Sequence, residues 1–223
     1  MSEQRVRDGA MIAFVGAFFV VWTLWCVLLV QYPQPLTDGR IRALARLGLW
    51  MIPTLGFVAL RGRESVAVQL RLRPGVGRGI AWGLAAALLH PVSVAAWRLG
   101  SGAATFAIPD DEATWLNPIL GAPLAEELLF RGVVLGGLAT RWGAPRALVA
   151  SAVLFSLAHL PYWWLSGQPS GWSLVAAETT MVLYGLAFGA LYLASRSLWA
   201  PLIYHVINNF LSIAVTDLPG DGP

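Results

Sequence analysis

Hydrophobic residues in this chain come in long blocks, each closed by a short stretch rich in proline, glycine or arginine. A bilayer core is about 30 Å thick and takes about 20 residues of helix to cross. Blocks of that order run over 10–30, 43–60, 79–99, 116–140, 147–165, 174–194 and 198–216. The pattern therefore predicts an all-α, polytopic transmembrane helix bundle of about seven spans. The first block is too long for a signal-peptide core, and Gln31-Tyr32-Pro33-Gln34-Pro35 offers no small-residue cleavage site, so it reads as a retained helix. The expected organisation is one integral membrane domain over 1–223. Three spans and their loops occupy 1–115, a core of four spans occupies 116–216, and a short acidic tail without regular structure occupies 217–223.

Interruptions of the pattern carry further expectations. Pro53 should kink the second span, because it removes a backbone donor and crowds the preceding turn. His90 precedes Pro91 in the third span and is expected to partner backbone groups freed by that kink. Gly185 and Gly189, four apart, should let a neighbouring helix approach closely. Between Arg61 and Arg78, apolar and polar residues alternate with a period of two, which predicts an extended or irregular segment on the membrane surface. Arg46, near the start of the second span, and Arg98, near the end of the third, read as side chains that snorkel to the interface. Tyr162-Trp163-Trp164 reads as an interfacial aromatic belt, and Glu178 as an interfacial carboxylate.

Composition and charge sharpen this picture. The 223 residues are 57% hydrophobic and 12% charged, half the charged share of an ordinary soluble domain, and the mean hydropathy is +0.64. The net charge of +3 is carried by arginine alone, since the chain has no lysine. It fits juxtamembrane contact with anionic lipid, and no basic aromatic surface points to nucleic acid. With the N-terminus inside, the inner loops collect Arg5, Arg7, Arg61, Arg63, Arg71, Arg73, Arg78, Arg141, Arg146 and Arg196. The outer loops then collect Asp38, Asp110, Asp111, Glu112, Asp217 and Asp221, with Arg40 and Arg42 as exceptions. Positive-inside thus favours an N-terminus in and a C-terminus out. The single cysteine, Cys26, permits no internal disulfide and reads as a small buried side chain.

Against this background Glu126, Glu127 and Arg131 stand out, three charges inside an apolar block. Each costs at least about 2.5 kcal/mol at the centre of a spanning helix, so they must compensate one another. Glu127 and Arg131 lie four apart on one helical face and can pair, while Glu126 points about 100° away. A purely structural ion pair accounts for Glu127 and Arg131 but leaves Glu126 buried and unpaired. His159 sits in the fifth span, and His205 and Asn209 lie four apart on one face of the last. Ionisable groups at membrane depth usually face the bundle interior or a wet cavity, where they mark function.

In chain order these residues form Glu126-Glu127-Leu128-Leu129-Phe130-Arg131 (E-E-x-x-x-R), Phe155-Ser156-Leu157-Ala158-His159 (F-x-x-x-H) and His205-Val206-Ile207-Asn208-Asn209 (H-x-x-x-N). The set resembles the three motifs of the CPBP intramembrane proteases, which group CAAX prenyl endopeptidases with bacterial bacteriocin-processing and immunity-type proteins. The resemblance covers about 118–211; the first three spans show no signature. It implies an intramembrane endopeptidase acting on a membrane-associated or lipid-tethered protein, in the bacterial inner membrane. Glu126, His159, His205 and Asn209 would be catalytic, with Glu127 and Arg131 as structural support. In one version Glu126 activates a water that His159 shares, and His205 and Asn209 donate to the developing oxyanion. In the other, Glu126, His159 and His205 hold a catalytic zinc with water in the open position; no H-E-x-x-H requires it. Phe155 would pack beside the site. The competing reading is a catalytically inactive member of the same fold, acting as a membrane interaction partner or immunity factor. A proton-coupled transporter is disfavoured, since no internal repeat or paired broken helices are present.

Overall fold

The computed structural model of the chain describes residues 3–61, 64–73 and 75–218, with the side chains of 3–8 left aside. The side chains of Arg5 and Arg7, together with Arg63 and the tail residues 219–223, lie outside the described set. Helices account for most of the described backbone. Five of them are long and apolar enough to cross a membrane: Gly9–Gln31, Gly39–Arg61, Val76–Gly100, Ala144–Ser166 and Gly171–Ser195. Two helical stretches fall outside that description for physical reasons. The one through 112–142 carries the motif charges, and Trp199–Ala214 rises only about 24 Å, short of a full hydrocarbon core.

Several helices are interrupted where the sequence demands it. The second opens into a wide π-turn over Leu47–Met51, just ahead of Pro53, and the third does so over Leu88–Val92, around Pro91. The stretch through the motif holds two such turns, Asn117–Gly121 and Glu127–Leu135. π-turns insert a residue into the helical ladder and recur at functional sites. The fifth helix breaks after Leu157, ahead of Pro161, whose missing N–H leaves the Leu157 carbonyl without its helical donor. His159 lies in that break rather than in mid-helix.

Small residues set the tightest packing. A Cβ on Gly185 would lie 2.8 Å from the Ala152 Cα, and one on Gly189 would lie 2.4 Å from the Leu148 Cδ1. The sixth helix therefore lies directly on the fifth, as the glycine spacing leads one to expect. Under the motif helix an aromatic core gathers Phe18, Trp22, Trp50, Phe130 and Phe155 in edge-to-face contacts. Cys26 is fully buried beside it.

The two ends of the bundle are tied separately. At one end Ala104–Phe106 pairs antiparallel with Val215–Asp217, Arg98 Nη2 meets Asp217 Oδ1 at 2.5 Å, and Arg40 pairs with Glu112. At the other, Arg78 Nε donates to the Ser195 carbonyl at 2.7 Å, and the Leu198 N–H donates to the Arg71 carbonyl at 3.1 Å.

Four local expectations are corrected. The segment after Arg61 holds a one-turn helix, Val66–Gln69, because its alternating residues have no strand to pair with. Two three-residue strands stand where a loop and the end of the last span with the first tail residue were expected. Arg98 does not snorkel alone but is held by Asp217 and the Val215 carbonyl. His90 Nδ1 faces the Tyr204 hydroxyl at 2.8 Å rather than freed backbone.

Candidate active site

The residues from Glu127 to Leu135 are all buried, and Glu126 is 3% exposed. A guanidinium and two carboxylates are therefore sealed in the bundle, and each needs a counterpart. Glu127 Oε1 takes Arg131 Nη1 at 3.1 Å, the pair that the four-residue spacing predicts. The same oxygen lies 2.9 Å from His205 Nδ1. A carboxylate here only accepts, so the proton on His205 sits at Nδ1. Arg131 Nη2 donates to the Gly185 carbonyl at 3.3 Å, and its guanidinium lies 4.4 Å from the Phe155 ring. Phe188 stacks on the His205 imidazole at 4.5 Å. Glu127 and Arg131 thus lock the motif helix to both the sixth and the last helix.

Glu126 faces away from that pair. Its Oε2 is 4.0 Å from His205 Nε2, too far for a direct hydrogen bond and close enough for both to touch one water. Its Oε1 is 3.1 Å from Arg46 Nη1. This overturns the snorkelling expectation: the Arg46 side chain is 12% exposed and turns inward. Its guanidinium is sandwiched between rings, 4.6 Å from Trp22 and 4.1 Å from Trp50. Sequence reasoning missed Arg46 because an arginine near a span terminus reads as an anchor. The available signal was Trp50 four residues on, which places an aromatic face beside it on the same helical stripe.

A cavity of about 180 Å³ opens against Glu126 and His159. His159 Nδ1 contacts the Phe155 carbonyl at 3.0 Å, so that nitrogen also carries its proton and Nε2 is left as an acceptor. The backbone before it is fixed from the first helix, where Trp22 Nε1 donates to the Ala158 carbonyl at 2.8 Å. Arg42, Arg46 and Trp50 form the facing wall, and Tyr162 and Trp163 close it. Those two aromatics therefore belong to the wall of the site, and of the three Trp164 is the one that faces outward.

Asn209 stands apart. Its Nδ2 donates to the Pro118 carbonyl at 2.8 Å; like His205 it is not in the cavity wall, and unlike His205 it has no contact with Glu126 among the described residues. That bond tethers the last helix to the start of the motif helix. The buried amide beside it, Asn208, accepts from the Tyr184 hydroxyl at 3.2 Å. Glu178 also lies elsewhere, in a mostly apolar hollow between the fifth and sixth helices, where the Ser156 hydroxyl donates to it. The structure therefore brings Glu126, His159 and His205 together, adds Arg46, and leaves Asn209 in support.

Zinc would need three donors at about 2.0–2.2 Å around one point. Among the described residues no three His, Cys, Asp or Glu side chains form such a group. The Arg46 cation lies against Glu126, where it would repel a dication, so the set Glu126, His159 and His205 does not fit zinc.

Residues 111–211, a little under half of the chain, match the family model described as Type II CAAX prenyl endopeptidase Rce1-like. No curated protein and no solved structure matches the chain. The matched family is a protease family, and with five apolar helices it makes this an integral membrane protein. The matched segment holds all three motifs, the buried acid pair and both histidines, and the match agrees with the resemblance of those motifs to the CPBP intramembrane proteases.

Proposed function

We propose that the chain is an intramembrane endopeptidase that hydrolyses a peptide bond of a membrane-associated or lipid-tethered protein with a water activated by Glu126. The observation that carries this is the 4.0 Å gap between Glu126 Oε2 and His205 Nε2, beside a cavity that His159 also lines. A water in that gap meets two acceptors, and both imidazoles are held by their Nδ1–H groups. As the water oxygen attacks the scissile carbonyl, Glu126 takes its proton and passes it to the leaving amine. Arg46, a cation in the cavity wall, is the group available to the oxyanion. Asn209 acts by holding the motif helix in place. No metal takes part.

In this reading the bundle crosses a bacterial inner membrane seven times, N-terminus inside and C-terminus outside. The motif helix and Trp199–Ala214 supply the two spans beyond the five apolar ones. The separate tying of the loops supports that alternation. Contacts among 64–78 and 195–199 gather at one end, and contacts among 38–40, 98–112 and 215–217 at the other.

The test compares membrane proteomes of cells carrying the wild type, Glu126→Gln or His159→Ala. Peptides cut only in the wild type are expected, with both variants still accumulating in the membrane. Identical peptide sets in all three would leave the inactive, partner-binding reading in possession of the fold.

A further inference from the structure

A second cavity, about 430 Å³, opens at the end of the bundle where the loops 64–73 and 195–198 meet. Three arginines from three elements share its wall: Arg61 from the last turn of Ile52–Arg61, Arg71 from the loop after Val66–Gln69, and Arg141 from the last turn of Gly136–Trp142. Each is held against another wall residue. Arg61 Cζ lies 4.9 Å from the Phe57 ring, Arg71 Cζ lies 4.7 Å from the Tyr192 ring, and Arg141 Nη1 lies 3.9 Å from Met11 Sδ. Among the described residues no Asp or Glu lines this cavity.

The Tyr192 side chain adds an independent pointer. It is 1% exposed, it lines the cavity, and its hydroxyl has no hydrogen-bond partner among the described residues. A buried donor left without an acceptor is costly, so an acceptor from outside is the natural remedy. Beneath it the floor is kept bare. A Cβ on Gly136 would lie 3.2 Å from that hydroxyl, and one on Gly132 would lie 2.6 Å from the Leu70 Cδ2. Arg71 itself adopts φ 54°, the left-handed region that a residue with a side chain seldom occupies.

We propose that this cavity binds the phosphate group of an anionic phospholipid. Phosphate carries the charge that matches a basic wall and the acceptor oxygens that the Tyr192 hydroxyl lacks. Phe57, Val58, Leu70 and Val133 give the wall an apolar part that suits a glycerol backbone and the first acyl carbons. A soluble phosphate would have no use for that part. Basic pockets at the ends of membrane helices are where lipid headgroups lie. The site is separate from Glu126 and its cavity, so lipid binding and cleavage can be read independently.

The test uses the full chain purified in neutral detergent, with phosphatidylglycerol, phosphatidylcholine or inorganic phosphate added in parallel. Retained lipid is read by native mass spectrometry and stabilisation by the unfolding temperature. The wild type should retain phosphatidylglycerol in preference to phosphatidylcholine and unfold at a higher temperature with it. Arg71→Gln should weaken that binding about tenfold, as loss of a charged hydrogen bond does. Tyr192→Phe, which deletes the unsatisfied hydroxyl and should not lower the lipid-free unfolding temperature, should weaken it severalfold. Equal retention of the two lipids, or unaltered phosphatidylglycerol binding in both variants, overturns the proposal. A stabilisation by inorganic phosphate equal to that by phosphatidylglycerol overturns the lipid and assigns the site to a soluble anion.

Discussion

The first helix and the motif helix solve opposite problems. Gly9–Gln31 is apolar throughout, yet only 22% of its most apolar window is buried, and Ile12, Val20 and Leu24 face outward. Glu127–Leu135 carries a carboxylate and a guanidinium, and all of it is buried. In water the apolar helix would be the one driven inside. In lipid, leucine gains little by leaving acyl chains for protein, whereas a charge gains a great deal by finding a partner. Polarity, not hydropathy, therefore decides which helix sits at the centre of this bundle, and the centre is where chemistry can be done.

That contrast can be broken most sharply at Arg131. Replacing it by methionine leaves Glu127 buried beside His205 alone, and should cost about 3–5 kcal/mol of stability, read as a fall in unfolding temperature or a loss of folded protein in detergent. Pairing Arg131→Met with Glu127→Gln should return part of the loss, since the stranded charge goes with its partner. A smaller effect is expected at Gly185, which carries the carbonyl that Arg131 uses. Gly185→Ala would place a Cβ 2.8 Å from Ala152 Cα, and should cost about 1–3 kcal/mol as the fifth and sixth helices are pushed apart. The smallest belongs to the first helix: Leu24→Ala on its lipid-facing side should change stability by less than about 0.5 kcal/mol. A loss at Leu24 comparable to that at Arg131 would dissolve the distinction between the two helices.

The same contrast explains what the sequence made legible. Glu126, Glu127, Arg131, His159 and His205 were visible because polar side chains inside apolar blocks have few innocent explanations. The glycine pair at 185 and 189 was visible because its spacing is itself the packing instruction. Arg46 was not, since one arginine near a span terminus can snorkel, and only the third dimension turns it between Trp22 and Trp50 toward Glu126. Tyr162 and Trp163 were hidden for a similar reason: aromatic residues at a helix end suit the interface as well as a cavity wall, and the break at His159 decides the matter. An amide at Asn209 suits an oxyanion better than a zinc ion, and only the fold reveals that its Nδ2 donates to the Pro118 carbonyl. The strands at 104–106 and 215–217 are too short to leave a periodic trace, and while the π-turns beside Pro53, Pro91 and Pro118 are marked by those prolines, the one over Glu127–Leu135 has no such mark.

Purified wild type and Glu126→Gln, given one identified membrane-tethered substrate, put the reading to its most direct trial. Glutamine keeps the shape of the side chain and an acceptor for Arg46 while removing the base. Cleavage should fall about 10²–10⁴-fold with the unfolding temperature held within a few degrees, the signature of a lost proton acceptor in an intact fold (about 10²–10⁴ being the usual worth of general-base catalysis). Cleavage by Glu126→Gln at the wild-type rate would contradict the account, because no water bound at Glu126 could then be the attacking one.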